Sequence, residues 1–349
     1  LSTSPVNWPA ARGAATVTLV LAELEPLAMS SAGYGVAIAL GLLWGSFANV
    51  CIYRWPAGRS VVAPGSHCSA CKAPIRWYDN VPIASWLWLR GRCRACRAEF
   101  SPRYLLVEAV TGALFGAAWW MAVQAPAMFE PFDARLLHFV VYAAFCFAMV
   151  VITFIDIDHM LILNKITLPA IPLAYLASFA WSGRHWYDGI VGAAVGYGLP
   201  WVIGEIYYRI TGREGLGLGD GMLLALVGAL LGWPGVLVSL FGGSVIGAVI
   251  GIAAVLIGRS RADETEAEAA APATAAEVAA TSADTDTASP AAVAPAEAAA
   301  PADPAPGGEA EKPSVMRTEL PFGPFLAMAA VLYLFAEPWI DIHFHLPGG

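Results

Sequence analysis

Charge is what this sequence has least of. Of its 349 residues only 13% are charged, about half the share of a soluble globular chain. That shortage excludes a single water-soluble domain, because too few charged side chains are present to cover one. Other features are missing too. Residues 16–28 are apolar, but Glu23 and Glu25 interrupt them and no cleavage site follows, so no secretory signal peptide is evident. The glycine-rich stretch GLGLGDG (215–221) lacks the GxGxxG register and no strand precedes it, which argues against a nucleotide loop. The net charge of −8 collects in one tail-like segment, and no nucleic-acid partner is expected. What the chain does have is apolar residues, 58% of the total with a mean hydropathy of +0.62, in long blocks. It therefore reads as an all-α polytopic membrane protein.

The apolar blocks give about eight transmembrane helices, near 33–51, 104–124, 136–155, 167–182, 188–208, 221–233, 235–257 and 321–341. Trp233-Pro234-Gly235 is a turn signal that divides one long block into two. Residues 1–32 read as an N-terminal extension, since Met29 precedes the first clean span and residues 1–28 show no folded role. The remaining organisation is a first helix (33–51), a polar insert (52–103), a membrane core (104–258), a linker (259–318) and a last helix with the C-terminus (319–349). Within the linker, residues 262–312 are Ala, Pro, Thr and acids without one aromatic. Such a segment cannot bury enough surface to offset its ordering entropy, so it is expected to be disordered.

The few basic residues decide the orientation. The insert carries Arg54, Arg59, Lys72, Arg76, Arg90, Arg92, Arg94, Arg97 and Arg103 against only Asp79 and Glu99. The positive-inside rule makes it cytoplasmic. Counting spans from there also puts 156–166, 209–220 and 259–320 inside, leaving only Arg12, Arg135 and Arg184 of the 19 basic residues outside.

Four of the six cysteines form two CxxC knuckles, Cys68/Cys71 and Cys93/Cys96, inside the insert. Each knuckle turns tightly enough to offer two sulfurs to one ion, and together they complete a four-thiolate zinc site. A redox pair is the rival reading, but two CxxC units on the reducing side favour metal. A closed four-cysteine site holds a fold together, so the zinc is expected to be structural. Cys51 and Cys146 fall at or within spans and read as packed side chains.

Carboxylates are costly in a membrane, so those at span ends deserve an explanation. Asp156 and Asp158 close the third span in TFIDIDHMLILN (153–164), and Asp220 opens the sixth in GLGLGD (215–220), all at the cytoplasmic side. A lone Asp at a helix start is ordinarily a cap or a solvated interfacial residue. If the two helix ends pack together, however, the pair shares a proton, because two like charges a few ångströms apart do not both ionise easily. One acid and one carboxylate are what an aspartic protease needs. A proton or ion pathway is the competing use of such a pair, although these positions lie at the interface where water is available.

These residues, in this order, resemble the type IV prepilin peptidase family, the bifunctional leader peptidases and N-methyltransferases with a GxGD aspartate. The resemblance covers roughly 33–258 and 318–341, through GSFANVCIYRWP (45–56), WYDNVPIASWLWLRGRCRAC (77–96), SPRYLLVEAVTG (101–112), TFIDIDHMLILN (153–164), EGLGLGDGMLLALVGALLGW (214–233) and ELPFGPFLA (319–327). It implies Asp156 and Asp220 as the catalytic pair, with Asp158 the fallback for the first. Two positions depart from the family pattern: Leu163 where Pro is usual, and Met222 where Lys commonly follows. The resemblance also implies the substrates, type IV prepilins or pseudopilins of type II secretion. Their basic leader would be cut after Gly at the cytoplasmic face of a bacterial inner membrane. It implies methylation of the new N-terminal amine by S-adenosylmethionine, for which no soluble-type motif is present. Glu108 and the insert are candidate contributors, and Glu108 reads equally as an interfacial helix residue. Two alternatives remain open: a catalytically altered scaffold, consistent with Leu163 and Met222, and an Asp-dependent proton or ion transporter.

Overall fold

A backbone inside lipid must satisfy its own N–H and C=O groups, and apolar blocks of membrane length do so as helices. The computed structural model describes residues 20–125, 130–181, 183–213, 217–270 and 321–344, with backbone alone at 257–270 and 341–344. Among them the only β-type pairing is two isolated bridges in the insert. The helices are α1 (residues 20–29), α2 (Ser31–Arg54), α3 (Ala84–Leu89), α4 (Arg103–Trp119), α5 (Phe132–His159), α6 (Asn164–Ser178), α7 (Asp188–Thr211), α8 (Leu218–Ala270) and α9 (Gly323–Phe344). Two compact units result, one of residues 1–247 with 321–349 and one of residues 248–320. The features below all lie in the first.

Six described helices are long and apolar enough to cross a membrane. The difference from eight has two local causes. Helix α6 has 15 residues and contains Pro169 and Pro172, so it falls short of a full span. Helix α8 is continuous by hydrogen bonding but breaks at Gly232, whose φ of 73° and ψ of −177° are not helical. The break falls one residue before the turn signal at 233–235. Pro234 has no N–H for the carbonyl of Leu230, and Arg184 donates to that oxygen instead, at 2.8 Å. The same guanidinium pairs with Glu337 of α9 at 3.0 Å. Both partners are buried, and truncating one member of a buried pair costs roughly 3 kcal/mol. Arg184→Ala should therefore lower the thermal midpoint clearly in detergent. Arg209→Ala, which removes an exposed i,i+4 pair with Glu205, should shift it little.

The helix ends sort onto two faces, as alternating spans require. On one face the end of α2 meets the start of α4 through Asn49 and the carbonyl of Tyr104. There Arg103 also pairs with Asp158 at the end of α5. On the other, Arg135 of α5 pairs with Glu25, His138 meets the carbonyl of Ala180, and Arg184 meets Leu230. Glycines set the closest crossings. A Cβ on Gly45 of α2 would lie 2.7 Å from the Cα of Glu108 in α4, and one on Gly189 of α7 would lie 2.7 Å from the carbonyl oxygen of Ala229 in α8. Small residues at such crossings let helix backbones approach and pack without a hydrophobic driving force.

Two segments differ from expectation. Residues 20–28 are not without a folded role: they are helical, Glu25 pairs with Arg135, which is 1% exposed, and the carbonyl of Ala28 accepts from the Trp119 indole. The acid that interrupts the apolar run is the counter-charge of a buried arginine. Residues 1–19 lie outside the described residues. Similarly, α8 continues through 262–270, the start of the segment expected to be disordered, where Ala and Glu are strong helix formers. Residues 271–320 lie outside the described residues.

Candidate active site

Helix α5 ends because Met160 takes a left-handed conformation, φ 49° and ψ 41°, with its N–H on the carbonyl of Asp156. That stop turns the chain so that Ile162 folds back beneath the helix end. Asp156 is 5% exposed, and its carboxylate packs against the backbone of Gly323, the first residue of α9. Asp220 sits in the first turn of α8 and is half-buried. Gly217 lies beside its carboxylate, since a Cβ there would be 3.6 Å from Oδ2, and the backbone N–H of Asp220 donates to the carbonyl of Gly217 at 3.1 Å. Ile162 joins the two. A Cβ on Gly219 would meet Ile162 Cβ at 3.0 Å, and one on Gly323 would meet Ile162 Cδ1 at 3.2 Å.

The fold thus brings Asp156 and Asp220 together from α5 and α8 and leaves Asp158 out. Asp158 is engaged by Arg103, whose other terminal nitrogen donates to the carbonyl of Phe154 and whose guanidinium lies over the Phe154 ring. Leu163 occupies φ −76° and ψ 116°. Proline would fit that backbone, so the departure there leaves the local path of the chain unchanged.

Gly323 is a residue that pattern reading does not single out. A Cβ there would lie 2.5 Å from Asp156 Oδ2 and 3.1 Å from Cγ, so any side chain displaces the carboxylate. Gly323→Val should insert and fold yet lose most of whatever activity Asp156 supports. The check is to measure that activity beside an unchanged far-ultraviolet spectrum.

In the insert, the four cysteine sulfurs lie within 4.8 Å of one another. Cys68 and Cys96 are 3.8 Å apart and Cys71 and Cys93 4.0 Å. A tetrahedral ion with metal–sulfur bonds of about 2.3 Å sets its sulfurs about 3.8 Å apart. The two knuckles repeat one backbone design. Cys68 donates to the carbonyl of Ala73 and accepts from Lys72, while Cys93 donates to Ala98 and accepts from Arg97. Lys72 and Arg97, each just after a second cysteine, share the left-handed φ, 59° and 62°. Backbone N–H groups of Cys71 and then Ala70 draw the Cys68 thiol down to about 6. At Cys96 the Ala98 N–H is outweighed by hydrogen bonds among the sulfurs, which push it up to about 11, so without an ion the four sulfurs share protons. Between residues 55 and 102 only Cys68, Pro82, Gly91 and Cys93 are buried, so the insert has almost no apolar core of its own. The four cysteines form a cluster able to hold a metal ion such as zinc.

Glu108 is buried in α4, accepts from the backbone N–H of Ile83 at 2.8 Å, and packs through its backbone against Gly45 of α2. It ties the insert to α2 and α4 together.

Comparison with known proteins places these features in a family. Residues 39–122 match the bacterial peptidase A24 N-terminal domain and residues 143–252 the type IV leader peptidase family. A protein named prepilin leader peptidase/N-methyltransferase from Myxococcus xanthus is 34% identical over 86% of this chain and 90% of its own. Proteins with the same name from Aeromonas hydrophila and Neisseria gonorrhoeae are 35% and 34% identical. They match 64% and 66% of this chain, and 82% and 84% of their own lengths. No solved structure matches the chain.

Proposed function

The chain belongs to the type IV leader peptidase family, and from that premise we propose that it is a membrane aspartic endopeptidase that removes the leader of type IV prepilins or pseudopilins. The observation that carries this reading is the convergence of Asp156 and Asp220 on Ile162 at one end of the helix bundle, Asp156 through Gly323 and Asp220 through its neighbour Gly219. One carboxylate, ionised, takes a proton from water as the water attacks the scissile carbonyl. The other, protonated, hydrogen-bonds the carbonyl oxygen and then supplies its proton. Gly217 leaves room for a substrate backbone beside Asp220, while Gly219 is packed against Ile162. The pairing of Asp158 with Arg103 supports Asp156 as the first member of the dyad.

The basic insert and the helix ends that gather with it support an active site on the cytoplasmic face of a bacterial inner membrane. The cluster at Cys68, Cys71, Cys93 and Cys96 holds a structural zinc, whose closed four-sulfur shell leaves no position for substrate. The shared name of the relatives extends the reading to N-methylation of the freed amine, for which S-adenosylmethionine supplies the methyl group. Nothing in the geometry favours the transporter or the inactive scaffold.

Coexpression with a prepilin tests the reading, since a peptidase shortens it and a transporter or scaffold leaves it intact. The same assay tests the linker. Deleting residues 264–311 should leave cleavage largely intact, because the segment has no apolar core to contribute. A protease added to sealed cells should spare this linker, and inside-out vesicles should expose it. Cutting from outside would invert the orientation.

A further inference from the structure

The insert has one surface that its own fold does not use. Trp77 and Trp88 are each 82% exposed, and Leu87 and Val81 stand out beside them. They belong to one hydrogen-bonded unit. The Ser85 hydroxyl of α3 donates to the carbonyl of Tyr78 in the turn Trp77–Asn80, and it accepts from the N–H of Val81. Two large indoles in water would be unfavourable, so something covers them.

The attachment of this unit says what. The chain enters α3 through Ile83, at φ 58° and ψ −52°, with the N–H of Ala84 on the carbonyl of Pro82. This is a γ-turn at positive φ, a strained conformation for a β-branched residue. It is held by the hydrogen bond from Ile83 to Glu108. Glu108 lies five residues inside α4 from Arg103, roughly 8 Å along the helix axis at 1.5 Å per residue. The insert therefore reaches past the start of α4 toward that level at Ile83, and α3 begins at the next residue. Helices lying in a membrane interface bury their apolar face about 5–10 Å into the boundary between headgroups and acyl chains.

Charge points the same way. Arg92 and Arg94 of the insert are paired with Glu99 and Asp79. Arg59, Lys72, Arg76, Arg90 and Arg97 are exposed and form no ion pair among the described residues. Arg90 follows α3 directly. Tryptophans beside unpaired arginines at interfacial depth suit anionic headgroups. A basic leader peptide would be repelled by this surface.

We propose that α3 and the turn before it lie in the interface of the leaflet from which the insert emerges, docking the metal-bearing insert onto anionic phospholipid. This rests on the membrane reading alone and stands whether or not the chain cleaves prepilins. The full-length protein carrying a photoreactive benzophenone amino acid at position 88 is reconstituted in vesicles of three parts phosphatidylcholine to one part phosphatidylglycerol. Irradiation should yield protein heavier by one phospholipid, with phosphatidylglycerol enriched at least about twofold over its share, since one interfacial basic residue is worth about a fivefold preference, which turns one part in four into about five in eight. Arg90→Glu should bring that enrichment close to the bulk ratio. In the protein without the label, nitroxide lipids labelled near the headgroup should quench more fluorescence than in Trp77→Phe/Trp88→Phe, which keeps the apolar area if the label perturbs folding. Adducts to a second copy, adducts to added prepilin, or no lipid adduct with equal quenching in both proteins would overturn the proposal.

Discussion

Asp156→Asn and Asp220→Asn are each expected to cut leader removal at least about 10³-fold, while the protein still inserts and binds its metal. The size follows from the division of labour. With either carboxylate replaced by an amide, no proton is shared, and the remaining Asp cannot act as base and acid in the same step. General acid–base groups contribute about 10²–10⁴-fold each, and residues acting as a unit lose nearly everything with the first removal. Asp158→Asn is the contrast. It removes the partner of Arg103 at a half-exposed site, so it should leave substantial activity and cost only modest stability. An inactive Asp158→Asn beside an active Asp156→Asn would reverse the assignment.

The second large effect belongs to the cysteines. Cys68→Ser or Cys93→Ser should abolish stoichiometric zinc, expected at one ion per chain, and unfold the insert while the membrane helices remain. Structural zinc contributes on the order of 10 kcal/mol to small domains, and the insert has only four buried residues between 55 and 102 to set against that loss. Metal analysis of the purified protein, with protease sensitivity confined to the insert, reads both halves of the prediction. A metal-free wild-type protein with disulfides at these positions would contradict it.

The knuckles were legible because ligand spacing is a local property: two CxxC units already specify four sulfurs. Their common backbone design was not, since it depends on left-handed conformations at Lys72 and Arg97, which their side chains do not announce. The dyad was half legible. Apolar runs and basic loops brought Asp156, Asp158 and Asp220 to one membrane face. Residues two apart on a helix point about 200° away from each other, however, and only packing decides which of Asp156 and Asp158 turns inward. In the structure Asp156 is buried and Asp158 is held by Arg103. Gly323 could not be found by pattern, because its importance is a close approach to a carboxylate far away in the chain. Glu25 was read as an interruption of an apolar run since its partner, Arg135, lies beyond three intervening helices in sequence. The apolar run at 167–182 did not announce that α6 would have only 15 residues, with two prolines inside.

The most direct measurement is the intact mass of a purified prepilin incubated with the zinc-loaded, full-length protein in lipid vesicles. The account predicts two products, a mature pilin and a free leader whose masses sum to the substrate plus one water, absent when Asp156→Asn is used instead. An uncut prepilin after prolonged incubation with folded wild-type protein, or equal cutting by the Asp156→Asn and Asp220→Asn variants, would contradict it.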